Sequence, residues 1–328
     1  MNIIRILHLS AVFFLVGTVQ AQVAEPVTML FAGDLTLSDN VERFVGSRTG
    51  YVFERWKPGR EADIFMVNLE HPITTATEKV EKKFNFKMSP EYGAILLDAG
   101  VTLVNSANNH VFDYGLKGIE DTMRYLDSLG VPYTGIGRTL EEARRPVIIE
   151  KKGRKIGFLG YYGGGDFSAS RERAGFAPRY ARYILEDVRR LKRRVDYVVV
   201  NFHWGVERAA LPDDWQVTLA KRVVDAGADL IVGHHPHVLQ GIERYKGAVI
   251  AYSLGNFVFG GNSLHSYETA VLKVSLSATS ADVELIPVSV KRWQPQPSTG
   301  EVRKSVLNLV RERSSLFPEN LFLTGVVE

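Results

Sequence analysis

Short apolar runs alternate with longer amphipathic stretches through most of this 328-residue chain. The first apolar runs cover 27–31, 63–67 and 101–104, and later ones cover 196–200 and 228–232. This alternation predicts strands and helices in turn, which is the pattern of an α/β protein. Because the carboxyl ends of adjacent strands in such a sheet converge on one crevice, residues far apart in sequence are expected to meet there.

Each of these runs is followed by a polar motif. The motifs are Gly33-Asp34, Asn68-Leu69-Glu70, Asn108-Asn109-His110, Phe202-His203 and Gly233-His234-His235-Pro236-His237. This placement predicts a metal site whose candidate ligands are Asp34, Glu70, Asn109, His203, His234, His235 and His237. Mixed nitrogen and oxygen ligands fit first-row divalent ions, so we expect one or two Mn, Fe or Zn ions. The sequence has no Cys, which excludes thiolate ligands and disulfide bonds.

Taken singly, several of these residues have ordinary structural explanations. Asp34 after a glycine can cap a turn, and Asn108-Asn109 can form a turn with one left-handed residue. His110 alone is more typical of a structural histidine. An ionised Glu70 after a very apolar strand needs a partner, and three imidazoles within four residues are more typical of a metal or catalytic site.

The remaining segments follow the same rules. Helices are predicted at 114–129, 179–194 and 213–225, and a β-hairpin at 146–160. Beyond His237 the pattern changes, and antiparallel strands are predicted at 249–253, 257–259, 269–276 and 283–290.

Three regions are predicted along the chain. Residues 1–21 have a positive start, a short apolar stretch and a small-residue cleavage site, which together predict a signal peptide. The protein is therefore expected to be exported, periplasmic or extracellular, with an uncleaved membrane anchor as the alternative. Residues 22–292 are expected to form one domain without a transmembrane span. Residues 293–300 predict a linker to a charged helix over 301–314 on the outside of the fold, so 293–328 forms a separate segment.

Two other motifs are set aside as sites. Ser253 stands in a sequence similar to a nucleophile elbow, but strand follows where the elbow needs a helix. The basic run Arg189-Arg190-Leu191-Lys192-Arg193-Arg194 is best explained as a solvated helix face. An exported protein seldom meets nucleic acid, so no nucleic-acid partner is expected. The alternative for this run is attraction to an anionic polymer or to anionic lipid headgroups.

The ordered motifs resemble those of the bacterial capsule-synthesis CapA family, which is linked to poly-γ-glutamate capsules. The resemblance covers about 28–260 and includes His110-Val-Phe-Asp113, His203-Trp204-Gly205-Val-Glu207 and Tyr252-Ser-Leu-Gly-Asn256. That family in turn is similar to the calcineurin-like metallophosphatases. The resemblance implies a four-layer α/β/β/α sandwich with a dinuclear site.

Residue roles are implied by the same resemblance. Asp34 corresponds to a first-metal ligand and Glu70 to the bridging carboxylate. Asn109 and His203 correspond to second-metal ligands, and His110 to the acid near the leaving group. The remaining correspondence is His235 and His237 as a His-x-His pair, with His234 as rival. Asn108, Glu207 and Asn256 are candidates for substrate or supporting contacts; the alternatives are a surface salt bridge for Glu207 and a turn residue for Asn256. The pattern departs at Thr36, where the superfamily has a histidine.

Two functions follow as expectations. The first is hydrolysis of a phosphoester or an amide by a metal-bound hydroxide, in the synthesis of a capsule or cell-envelope polymer. The second is a non-catalytic accessory that binds an anionic polymer and aids its transport or assembly. Candidate partners are the anionic polymer, a phosphoester substrate and capsule-synthesis membrane proteins.

Overall fold

The structure is a computed structural model that describes residues 25–38, 40–261 and 266–322. The predicted signal peptide lies outside the described residues. Within them, one sheet has eight strands in the order β16-β15-β14-β1-β2-β3-β4, with β13 also beside β1. Its strands are β1 (Val27–Thr36), β2 (Ile64–Leu69), β3 (Leu103–Asn105), β4 (Tyr133–Thr134), β13 (Asn256–Phe259), β14 (Tyr267–Leu276), β15 (Ala281–Lys291) and β16 (Gln294–Pro297).

A second sheet has six strands in the order β11-β12-β10-β9-β7-β6. Its strands are β6 (Val147–Lys151), β7 (Arg154–Tyr162), β9 (Tyr197–His203), β10 (Leu230–His234), β11 (Ile242–Tyr245) and β12 (Ala248–Ala251). A two-stranded sheet pairs β5 (Ile136–Gly137) with β8 (Gly175–Phe176).

Most of the described helices cover the outer faces of the two large sheets, whereas the last one packs on the core between them. The helices are α1 (Asn40–Val45), α2 (Pro58–Glu61), α3 (Ala94–Asp98), α4 (Gly115–Leu129), α5 (Leu140–Ala143), α6 (Ala181–Lys192), α7 (Asp214–Asp225) and α8 (Gly300–Ser314), with short 3-10 helices at Thr49–Tyr51 and Pro90–Tyr92.

Three apolar cores define the layers. Phe31 of β1 and Phe158 of β7 belong to a core between the two sheets. Ile95 of α3 packs with the outer face of the first sheet, and Ile184 of α6 with that of the second. Central strands such as β2 and β9 are therefore buried on both faces, and this explains their nearly continuous apolar runs. The predicted four-layer α/β/β/α sandwich is confirmed.

Several local predictions are confirmed as well. Helix α4 ends at Gly130, whose φ of 67° is the left-handed conformation that glycine favours at a helix end. The hairpin at 146–160 is the antiparallel pair β6 and β7.

The C-terminal predictions need correction. Strand β13 pairs in parallel with β1, although 257–259 was predicted to be antiparallel. The prediction for 249–253 is right on one side only, since β12 pairs antiparallel with β11 and parallel with β10. Gln294–Pro297 is an edge strand paired with β15, where the sequence predicted a linker. The prolines fit because an edge strand has one side without ladder hydrogen bonds. Helix α8 does more than cover the outside, since Val306 and Val310 enter the core between the sheets.

Candidate metal centre

The candidate ligands lie where the two sheets bring their strand ends together. Asp34 is near the end of β1, and Glu70 directly follows β2. His203 and His234 are the last residues of β9 and β10, and they pair side by side in the second sheet. The crevice is therefore built from both halves of the sandwich.

Two glycines allow this close approach. A Cβ on Gly33 would lie 1.9 Å from the Gly255 carbonyl oxygen, and the next amide, that of Asp34, donates to that oxygen at 2.9 Å. A Cβ on Gly233 would lie 1.9 Å from the carbonyl oxygen of Tyr252. Each glycine precedes a candidate ligand, so the backbone contact fixes where that ligand enters the crevice.

Glu70 is the centre of the arrangement. Its side chain is fully buried, and neither carboxylate oxygen has a hydrogen-bond partner among the described residues. Oε1 of Glu70 lies 3.4 Å from Nε2 of His203 and 3.8 Å from Nε2 of His237. A buried carboxylate without hydrogen bonds is costly, and a divalent cation among nitrogen ligands would offset this cost. The residues present therefore fit a metal ion.

Two ligand groups share this carboxylate. Asp34, Glu70 and His237 form one, and Glu70, His203 and His235 form the other, with the ligand atoms of each group within 4.8 Å of one another. Such overlap is the arrangement that a carboxylate bridging two ions requires.

Asn109 adjoins the second ligand group, and Glu207 belongs to a third. Oδ1 of Asn109 lies 2.7 Å from Nε2 of His203, so an amide oxygen adjoins this imidazole. At the mouth, the exposed Glu207 forms a third group with His235 and His237. His234 approaches Asp34 at 3.7 Å but belongs to none of the three groups.

Burial and charge set the protonation of the crevice. Burial raises the pKa of Glu70 well above its usual range, and the charge of Asp34 raises it further. Burial alone would raise the pKa of Asp34, but the hydrogen bond and charge of His237 outweigh it and lower that pKa. Burial lowers the pKa of His203 well below its usual range, and a neutral imidazole is the form that binds metal.

His110 has its own support. Its Nδ1 lies 2.7 Å from Oδ2 of Asp113, and the ammonium of Lys82 contacts both residues. Burial lowers the pKa of His110, while Asp113 opposes that shift. His110, His237 and Glu207 line a cleft of about 410 Å³, so the imidazole faces space that a substrate can enter.

A network of asparagines holds the ligands in place. Nδ2 of Asn68 lies 2.8 Å from Oδ1 of Asp34 and 3.2 Å from Nδ1 of His203. Asn105 donates to Asn68 at 2.8 Å. Asn108 donates to the Leu69 carbonyl oxygen at 2.8 Å, so it braces the segment before Glu70. Hydrogen bonds of this kind orient metal ligands and fix histidine tautomers.

The loop after β10 has an unusual backbone. His235 and His237 have φ angles of 96° and 57°, and residues other than glycine rarely adopt positive φ angles. Nδ1 of His237 lies 3.0 Å from Oδ2 of Asp34 and 2.9 Å from Oδ1 of Asn256. Backbone strain of this kind is held by surrounding contacts and clusters at functional sites.

The structure thus brings the candidate ligands to one crevice, although His234 stays outside the three groups. His110 lies beside them, and Asn256 contacts His237. Thr36 contributes no imidazole; it is buried, and its hydroxyl has no hydrogen-bond partner among the described residues. Asn68, Lys82 and Asp113 were not assigned roles from the sequence. Asn68 and Asp113 stand inside the quoted motifs, which was the available signal, whereas nothing in the local sequence distinguishes Lys82.

The fold and the site together define the class of protein: a four-layer sandwich with a histidine-rich crevice at its strand ends. The family model described as bacterial capsule synthesis protein PGA_cap matches residues 28–261. The chain belongs to this family.

Curated relatives agree over most of the chain. It is 32% identical to the capsule biosynthesis protein CapA of Bacillus anthracis, over 88% of this chain and 74% of that protein. It is 34% identical to the PGA biosynthesis protein CapA of Bacillus subtilis (strain 168), over 81% and 72%. A probable polyglutamine synthesis accessory protein of Mycobacterium tuberculosis (strain CDC 1551 / Oshkosh) is 27% identical, over 90% and 95%.

Among solved structures, a 5'-nucleotidase from Candida albicans SC5314 aligns with 88% of this chain and 57% of its own, with 11% identity and a TM-score of 0.48. A likeness at that level carries no functional information. No helix in the described part of the chain has the length and apolar character needed to cross a bilayer.

Proposed function

We propose that this chain is an exported, metal-dependent hydrolase that acts in the synthesis of a poly-γ-glutamate capsule or a related envelope polymer. The observation that carries the proposal is the buried carboxylate of Glu70, which accepts no hydrogen bond from the described part of the chain and is shared by two groups of candidate ligands. The similarity to a capsule biosynthesis protein and a PGA biosynthesis protein of two Bacillus species supports the choice of polymer. The leader-like segment at 1–21 supports export.

The metal would be held by the residues of the two groups. Asp34, Glu70 and His237 would hold one divalent ion, and Glu70, Asn109, His203 and His235 a second. When bound, such ions polarise a phosphoryl or carbonyl oxygen and activate water for attack.

His110 is the residue that moves a proton. Because Asp113 occupies its Nδ1, the other ring nitrogen, Nε2, is the one available to a leaving group. The lowered pKa makes the protonated ring a stronger acid. Lys82 donates to the Asn109 carbonyl oxygen at 2.7 Å, so one cation braces a metal ligand and the Asp113–His110 pair together.

The cleft beside these groups suits an anionic substrate with an apolar portion. Its walls include Phe84, Phe86 and Phe259, and Arg208 stands at its rim. The rings can pack against methylene groups, and the guanidinium can pair with a carboxylate or a phosphate.

The direct test is metal content and turnover of the protein purified after export from cells that express the full chain. Metal would be measured by mass spectrometry, and bis(p-nitrophenyl) phosphate and γ-glutamyl p-nitroanilide would be offered as substrates. We expect at least one bound ion per chain and hydrolysis of one substrate, both lost in Glu70→Gln. The control Glu78→Gln removes an exposed carboxylate and should change neither. Protein without bound metal and without turnover in metal-supplemented buffer would contradict the proposal.

A second function is favoured by Thr36 and by the name of the mycobacterial relative. With no imidazole at position 36, the first ligand group has only three side chains in the described structure. The protein would then act as a non-catalytic accessory that binds the polymer and aids its transport or assembly. Cells in which Asp34→Ala and His203→Ala replace the native chain would keep their capsule under this alternative, whereas the hydrolase proposal expects them to lose it.

A further inference from the structure

A second cavity lies along α6 and shares no lining residue with the crevice. It has a volume of about 660 Å³ and is lined by five arginines and two carboxylates, Glu141 and Asp187. We call it the arginine cleft, and its arginines are Arg144, Arg145, Arg171, Arg190 and Arg194.

Only part of this positive charge is neutralised within the protein. Arg144 pairs with Asp187 at 2.8 Å, and the hydroxyl of Tyr161 donates to the same carboxylate at 2.8 Å, so Asp187 is fully engaged. Arg171 and Arg194 are exposed and make no ion pair among the described residues. Arg190 pairs with Glu186 at 2.8 Å and Arg145 approaches Glu142 at 3.8 Å. Among the described residues of the cleft, the guanidinium groups without an ion pair are therefore those of Arg171 and Arg194.

The basic run at 189–194 does not by itself form the arginine cleft. Lys192 of the run pairs with Asp229 at 2.7 Å, and Arg193 donates to the Arg189 carbonyl oxygen at 3.0 Å. Of the cations in the run, only Arg190 and Arg194 line the cleft. The other arginines come from the end of α5 and from the loop before β8, so tertiary structure assembles the cluster.

We propose that the arginine cleft is a docking site for a carboxylate-rich polymer chain, distinct from the metal crevice. Guanidinium groups match carboxylates in a planar, two-pronged geometry, so a row of them suits repeated carboxylates. Leu140, Pro146 and Leu191 also line the cleft and supply apolar surface for the methylene groups between those carboxylates. The inference rests on the proposed role in polymer synthesis, but it does not depend on hydrolysis.

Helix α6 connects the two sites. Just before the helix, Arg179 donates to the His203 carbonyl oxygen at 3.3 Å, which places this end beside the crevice. Arg190 lies nine residues beyond Ala181, which corresponds to about 14 Å along the helix axis. One extended chain of several residues is long enough to occupy both places.

The test compares two double charge reversals at the C-terminal end of α6 and in the two residues that follow it. Arg190→Glu with Arg194→Glu changes two cations of the cleft, and Arg189→Glu with Arg193→Glu is the matched control, with the same spacing and the same change in net charge. Binding of fluorescent poly-γ-glutamate to the full-length protein would be measured by anisotropy in the presence of a chelator. We expect the cleft variant to lose about tenfold or more in affinity, because a cleft in which one charge sign is in excess concentrates counter-ions, and the control to change by less than about threefold.

A variant in another segment guards against misfolding of α6. Arg171→Glu lies in the loop before β8 and should weaken binding in the same direction. Equal losses in the cleft and control pairs would overturn the proposal. Binding to phosphatidylglycerol vesicles that depends on the cleft arginines, together with no binding to the polymer, would overturn the proposal in favour of lipid headgroups. Metal content and turnover report separately on the crevice, and we expect the cleft variant to keep both.

Discussion

The metal crevice and the arginine cleft both gather charge, but they do so in opposite surroundings. In the crevice, Asp34 and Glu70 are completely buried, and their neighbours are imidazoles and amides at fixed distances. In the cleft, Arg145 and Arg190 have side-chain exposures of 64% and 59%. Buried charges interact strongly over short distances, whereas exposed charges are screened by salt. The crevice is therefore suited to hold an ion in one geometry, and the cleft to attract a flexible polyanion.

The interactions that hold the side chains of the two regions in place also differ. The crevice is held by asparagine hydrogen bonds and by glycine contacts between backbones, so a small shift there misplaces a ligand. The cleft has one buried anchor, the Arg144–Asp187 pair, while its other cations project from separate surface segments. Loss of one surface arginine should weaken binding gradually, whereas loss of one crevice ligand should abolish function.

The largest effect is expected for Glu70→Gln. Removal of the shared ligand should lower metal affinity and turnover by at least about a hundredfold. The metal-free protein should keep its melting temperature, since the raised pKa of Glu70 already favours a neutral side chain. Metal titration followed by calorimetry, with thermal melts of both forms, would check this. Full metal retention in the variant would remove Glu70 from the centre of the site.

Asn68→Ala should have the next largest effect. The amide contacts both Asp34 and His203, and loss of such support typically lowers metal affinity by about tenfold to a hundredfold. Competition with a fluorescent chelator would measure the change. Asn308→Ala on the exposed face of α8 is the control. A drop in stability without any change in metal affinity would show that Asn68 only packs.

The salt dependence of binding should differ between the metal crevice and the arginine cleft. Between about 0.05 M and 0.5 M NaCl, the affinity for poly-γ-glutamate should fall by about tenfold or more, while metal affinity changes by less than about twofold. Both would be measured on the same preparation, the first by anisotropy and the second by chelator competition. Polymer binding that is insensitive to salt would mean that apolar contact, rather than the arginines, holds the chain.

Tyr161→Phe should have the smallest effect. It removes one buried hydrogen bond to Asp187 and should lower the free energy of unfolding by about 1 kcal/mol. Urea denaturation would measure this, with the exposed Tyr180→Phe as control. Polymer and metal affinities should stay within about twofold of the native values. A large loss of polymer binding would show that the buried anchor, and not only the surface arginines, shapes the cleft.

Much of the crevice could be predicted from the sequence because its ligands follow apolar strands in chain order. His203 and His234 illustrate this, since each ends a buried strand and the parallel pairing sets them side by side. Lys82 illustrates the opposite case: it lies between elements, in a segment without apolar periodicity, and only its fold brings it to Asp113. The parallel pairing of β13 with β1 was missed for the same reason, because a short strand does not carry its direction in its composition.

Sequence alone determined the order along the chain in which strands are followed by candidate ligands, and the layered α/β class. It also determined the glycines beside the ligands and the lack of thiolates. Those features are local, since periodicity and residue type suffice to define them. Tertiary structure decided which carboxylate is shared, how Asn68 links Asp34 to His203, and which cations line the arginine cleft. These depend on distances between segments far apart in the chain, and such distances exist only after the two sheets pack against each other.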